Sequence, residues 1–288
     1  YYYFIWRMEQ RQWDIGLQFA HLVSSLLSLL LLLWQVNGVI EHTTFLQSVM
    51  APETARLFIW FLVFVPSVIL LIGLNSQKPW PITTWKIYYQ DFIPAPFLFI
   101  MLGWFFVASR ESGSILEFYL PVLNPTDLAQ LAVILLMAFA MKAGLSFSHT
   151  WANRIKMAFI GFLAFLWINI VMLRGIHHYT LIAYDSEILW HSPTVQMALS
   201  ILWTICALAV MNIARRIQLR QLWILGAGLL AIVVIKLALK DLSGSSTLAG
   251  IVSFMAVGIL MLLIGYLSPI PPVKKQLAAD AKSEESSQ

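Results

Sequence analysis

Apolar residues along the chain gather into eight long runs separated by short polar gaps, near 18–39, 55–74, 92–109, 127–145, 156–173, 196–214, 222–241 and 248–267. A helix needs roughly 20 apolar residues to cross about 30 Å of hydrocarbon, and these runs have that length. The pattern predicts an all-α fold, a polytopic transmembrane helix bundle of about eight spans. Pro94 and Pro96 fall in the first turns of the third run, where proline is tolerated; deeper in a helix it kinks the chain. Pro269, Pro271 and Pro272 close the last run. The transmembrane domain is therefore expected over 1–272. The polar, small-residue tail at 273–288 is expected to be a disordered cytoplasmic segment.

Charge gives the bundle an orientation. Of 18 basic residues, 13 fall in one set of alternate gaps and 5 in the other. The rich side holds Arg7, Arg11, Lys78, Lys86, Lys142, Arg154, Lys156, Arg215, Arg216, Arg220, Lys274, Lys275 and Lys282. The poor side holds Arg56, Arg110, Arg174, Lys236 and Lys240. Short loops rich in Lys and Arg stay cytoplasmic, so both termini are expected inside. The net charge of +4 reflects this bias, and no basic patch interleaved with aromatics marks nucleic-acid binding. At 60% hydrophobic and 11% charged, the chain lies far from soluble domains, which carry about a quarter charged residues. The lipid bilayer is its first partner. The single cysteine, Cys206, lies within the sixth run and excludes an intramolecular disulfide or thiolate cluster.

Three polar clusters fall on the outer side of this topology. In Asn124-Pro125-Thr126-Asp127, Asn124 or Thr126 can cap the fourth span and Asp127 suits the positive end of the helix. Its functional reading is a carboxylate at the rim of a cavity. In Arg174-Gly175-Ile176-His177-His178, the spacing puts Arg174 and a histidine on one face if the fifth helix continues. A guanidinium binds phosphate bidentately and an imidazole supplies a base near neutrality. In Lys236 to Asp241, Lys236 and Lys240 share a helix face; Asp127 or Asp241 is the expected partner of the deeper Lys236. Each cluster also has a plainer reading: a helix cap, interfacial residues reaching water, and snorkelling lysines. His177, His178, Asp185, Glu187 and His191 match no ligand spacing, so neither a metal nor a cofactor is expected.

From about Trp104 to Pro272 the chain resembles bacterial multi-pass membrane proteins of the domain of unknown function 2339. The stretches that carry the likeness run in order along the chain. Tyr119-Leu120-Pro121-Val122-Leu123-Asn124-Pro125 leads into Asp127-Leu128-Ala129-Gln130. Leu173-Arg174 with His177-His178 follows, then Leu199 to Trp203 and Lys236 with Asp241-Leu242-Ser243. Ile251-Val252-Ser253-Phe254, Gly265-Tyr266 and the closing prolines complete it. The resemblance implies a C-terminal segment of a longer chain with more spans. It also implies Arg where this chain has Gly250. It carries no activity.

Three functional classes fit these residues. The first is an enzyme acting on a lipid-linked or phosphate-bearing envelope glycan at the periplasmic face. There His177, His178 and Asp127 are the catalytic candidates, and Arg174, Asn124, Lys236, Lys240 and Asp241 the substrate contacts. The second is a transporter or lipid flippase with the same charges lining a path, although polar residues thin out toward the inner face. The third is a non-catalytic scaffold or complex subunit.

Overall fold

A computed structural model describes residues 2–10, 16–42, 60–62, 65–70, 94–113, 119–143 and 153–242, with isolated positions at 57, 73, 84, 89 and 258. Regular structure among them is helical throughout. The helices are α1 (Tyr2–Gln10), α2 (Leu17–His42), α3 (Pro94–Ala108), α4 (Pro125–Lys142), α5 (Asn153–Thr180), α6 (Ser186–His191), α7 (Pro193–Arg216) and α8 (Arg220–Leu242). Three of these, α4, α5 and α7, are long and apolar enough to cross a membrane. Of the expected run near 55–74, 11 of 20 residues are described and all are helical; the run near 248–267, apart from position 258, and the tail from 273 lie outside the described residues.

Local sequence explains where the helices begin. The side chain of Asn124 accepts a hydrogen bond from the Thr126 N–H at 2.9 Å, and Pro125 stands at the first helical position of α4. Asn124, rather than Thr126, is thus the cap. Proline there lacks only an N–H that would have no partner in the helix. Ser192 and Pro193 repeat the arrangement at α7. Pro94 and Pro96 occupy the first turn of α3, so neither breaks it. With 15 residues, α3 is only about 22 Å long at 1.5 Å per residue.

The chain divides into two compact units, Tyr1–Leu189 and Trp190–Gln288. In the first, α4 and α5 run antiparallel: Trp167 and Arg174, toward the end of α5, bond to Asp127 at the start of α4. Phe97, Met101 and Phe105 of α3 join Val133, Ile134 and Met137 of α4 and Leu163 of α5 in one buried cluster. The second unit is built on the α7–α8 hairpin, whose turn holds Gln218 at φ 55°. Ala207, Met211 and Leu230 form its core.

Candidate functional site

The first two polar clusters meet at one end of the first unit, where α3 ends, α4 begins and α5 leaves the bundle. Arg174 is at their centre and is fully buried, as are Asp127 and Gln130. Its Nη1 donates to Asp127 Oδ1 at 2.5 Å and to Gln130 Oε1 at 2.9 Å. Nη2 donates to the Ala108 carbonyl at 2.6 Å, and Nε to the Glu111 carbonyl at 3.0 Å. Four of the five guanidinium N–H groups are thereby engaged by protein oxygens.

Two of those oxygens belong to the end of α3 and the turn beyond it. A helix leaves its last carbonyls without intrahelical donors, and a cation near that end meets the negative pole of the macrodipole. Side chains from later in the chain supply donors through this whole stretch. Gln130 Nε2 donates to the Phe105 carbonyl at 3.1 Å, and the Tyr184 hydroxyl to that of Ser109 at 2.9 Å. His178 Nε2 contacts the Ser112 carbonyl at 3.0 Å, and Asn124 Nδ2 donates to that of Gly113 at 2.9 Å. Gly113 adopts φ +74°, and a Cβ there would sit 3.4 Å from Arg174 Cδ and from Asn124 Oδ1. Those contacts are close but ordinary, and it is the positive φ that favours glycine at this position.

Asp127 is satisfied on both sides. Its Oδ2 accepts from the Tyr119 hydroxyl at 2.7 Å, and its backbone carbonyl accepts from the Trp167 indole at 3.0 Å. Burial first, and then the neighbouring Asp127 carboxylate, push the Tyr119 phenol above its ordinary pKa, so the hydroxyl stays a donor. Burial likewise raises the pKa of Tyr184.

The two histidines sit over this knot. α5 continues through Thr180, so Arg174, His177 and His178 belong to one helix, and both histidines are half-buried. His178 stacks on Tyr119 with ring centroids 4.5 Å apart and planes 8° from parallel. Tyr119 in turn reaches Asp127, which links the imidazole to the ion pair. His177 Nδ1 lies 2.6 Å from the Ile182 carbonyl. A carbonyl only accepts, so Nδ1 carries the hydrogen and the neutral ring keeps a lone pair on Nε2.

The third cluster is in the second unit. Lys236 is half-buried on α8; its Nζ donates to the Gln196 carbonyl at 3.3 Å and stands 5.6 Å from the Trp203 ring centroid. The side chains of Lys240 and Asp241 lie outside the described residues. Sequence reasoning assigned no role to Tyr119, Gln130, Trp167 or Tyr184. One signal was available: Asp127 and Gln130 are three apart and share a helix face, which places two acceptors side by side for one guanidinium. Among the described residues no group of His, Cys, Asp and Glu is arranged to hold a metal ion.

Long apolar helices and a fully buried, internally satisfied ion pair together define a helical membrane protein. A family model described as a predicted membrane protein, DUF2339, matches residues 1–271, and the chain belongs to that family. Neither a curated protein nor a solved structure matches it.

Proposed function

We propose that the chain is a non-catalytic scaffold or complex subunit of a bacterial inner membrane. In this reading it crosses the bilayer about eight times with both termini in the cytoplasm, an orientation that rests on the distribution of Lys and Arg. The observation that carries the proposal is the inward commitment of Arg174. Four of its N–H donors are held by Asp127, Gln130 and two backbone carbonyls, with no exposed surface. A phosphate-binding arginine needs free donors facing a cavity. Here the guanidinium joins the end of α3 to α4 and α5, as a fold element would. Asp127 and Asn124 serve the same junction, the carboxylate as counter-ion and the amide as helix cap.

Complementation of a deletion strain by the full-length protein, scored by envelope integrity, tests this. The informative variant is the double replacement Arg174→Met with Asp127→Leu, which exchanges the ion pair for apolar side chains. A buried pair is often replaceable in this way, whereas removal of one partner alone is not tolerated. The scaffold reading expects the double variant to complement better than either single variant, in proportion to membrane abundance. Loss of complementation at wild-type abundance would return Arg174 and Asp127 to a substrate-binding role.

One observation favours a second reading, acid–base chemistry on a lipid-linked or phosphate-bearing glycan. The Ile182 carbonyl holds His177 in the tautomer that leaves Nε2 as a base. General acid–base catalysis contributes about 10² to 10⁴ in rate. Under this reading His177→Gln abolishes complementation at unchanged abundance; under the scaffold reading it does not.

A further inference from the structure

The turn before α4 and the turn after α5 are built alike. In the first, Leu120, Pro121, Val122 and Leu123 are all exposed in succession; in the second, Tyr179 and Leu181 are exposed. Leu123 is 64% and Leu181 90% accessible. The turns sit side by side, since the Tyr179 hydroxyl donates to the Tyr119 carbonyl at 2.9 Å. No charged residue occurs in 119–126 or in 175–184. Turns that face bulk water ordinarily carry polar side chains, and a contiguous exposed apolar patch marks an interaction surface.

The backbone holds these side chains outward at a cost. Val122 has φ 70° and Leu181 φ 59°, both in the left-handed region that glycine favours; a β-branched residue there is an outlier. Such strain persists only where the surroundings over-determine it. The knot below supplies that restraint through Tyr119 to Asp127, His177 to Ile182 and Tyr184 to Ser109.

We propose that these two turns form an apolar collar that inserts into the outer boundary of the bilayer, with lipid as its occupant. The collar continues the lipid-facing side of α4, where Leu128, Leu135 and Phe139 are exposed. Its tyrosine suits the interface, where aromatic rings with a polar tip gather. The consequence for the site beneath is direct: the collar sets the Arg174–Asp127 pair below the water boundary, where an ion pair is little screened and every backbone polar group needs a protein partner. The inference takes its outer side from the orientation proposed above, but does not depend on the scaffold role.

The test uses the full chain in phosphatidylcholine and phosphatidylglycerol proteoliposomes, with Cys206→Ala removing the one thiol of the sequence. Single cysteines at Leu123→Cys and Leu181→Cys carry an environment-sensitive nitrobenzoxadiazole label. Leu135→Cys is the lipid-facing control and Glu187→Cys the aqueous one. The proposal expects blue-shifted emission at 123 and 181, severalfold stronger quenching by shallow spin-labelled lipid than at 187, and little quenching by iodide. Water-like emission with iodide quenching at both positions would overturn it. So would shielding from lipid and iodide alike, which would mean that protein covers the collar.

Discussion

The Arg174 guanidinium and the Asp127 carboxylate meet at 2.5 Å with neither side chain exposed. They come from opposite ends of their helices, Arg174 late in α5 and Asp127 in the first turn of α4. Each has a further partner: Arg174 binds the last carbonyl of α3 and one in the turn beyond it, and Asp127 accepts from the phenol of Tyr119. A pair so enclosed holds together three segments that are far apart in sequence.

Arg174→Ala and Asp127→Asn should each destabilise the protein by about 3–5 kcal/mol, because the remaining partner is left buried without its counter-charge. Together, as Arg174→Met with Asp127→Leu, the cost should be smaller than the sum of the single costs. Thermal unfolding in detergent, arranged as a double-mutant cycle, measures the coupling.

Tyr119→Phe removes the donor to Asp127 Oδ2 and keeps the ring against His178. The expected loss is about 1–3 kcal/mol, the cost of a buried acceptor left unsatisfied. The same unfolding assay checks it. A result no different from wild type would mean that water replaces the hydroxyl.

Alkaline pH should weaken the fold through the same hydroxyl. The folded pKa of Tyr119 is raised, chiefly by burial, while the unfolded value stays near 10. Its contribution is therefore complete below about pH 10 and declines as the pH rises toward the folded value. Thermal midpoints measured from pH 8 to pH 11 should fall more steeply for wild type than for Tyr119→Phe.

In the second unit the tight point is Gly226. A Cβ there would lie 2.7 Å from Met211 Cγ and 3.0 Å from the Ala207 carbonyl. Gly226→Ala should push α7 and α8 apart and cost about 1–3 kcal/mol, as overpacking does. Gly228→Ala on the same helix meets nothing within 4 Å and should leave stability near wild type or slightly improve it, since alanine favours helix. Protease resistance of the two variants, side by side in detergent, separates them.

The sequence by itself determined that the chain is helical and belongs in a membrane, because run length and the lack of charge are properties of consecutive residues. It also located the start of α4, since a cap and the proline after it act within one turn. It brought Asp127 and Arg174 forward as candidates, because ionisable residues near apolar helices stand out singly. What those residues bind was decided by tertiary structure alone. Sequence spacing relates positions on one helix, but Arg174 of α5 meets oxygens at 108, 111, 127 and 130, on two other segments. Whether a guanidinium faces a cavity or closes a junction depends on how α3, α4 and α5 pack. That packing turns a residue suited to binding phosphate into one whose donors are taken up by the chain itself, because a buried guanidinium is stable only when its N–H groups find oxygen.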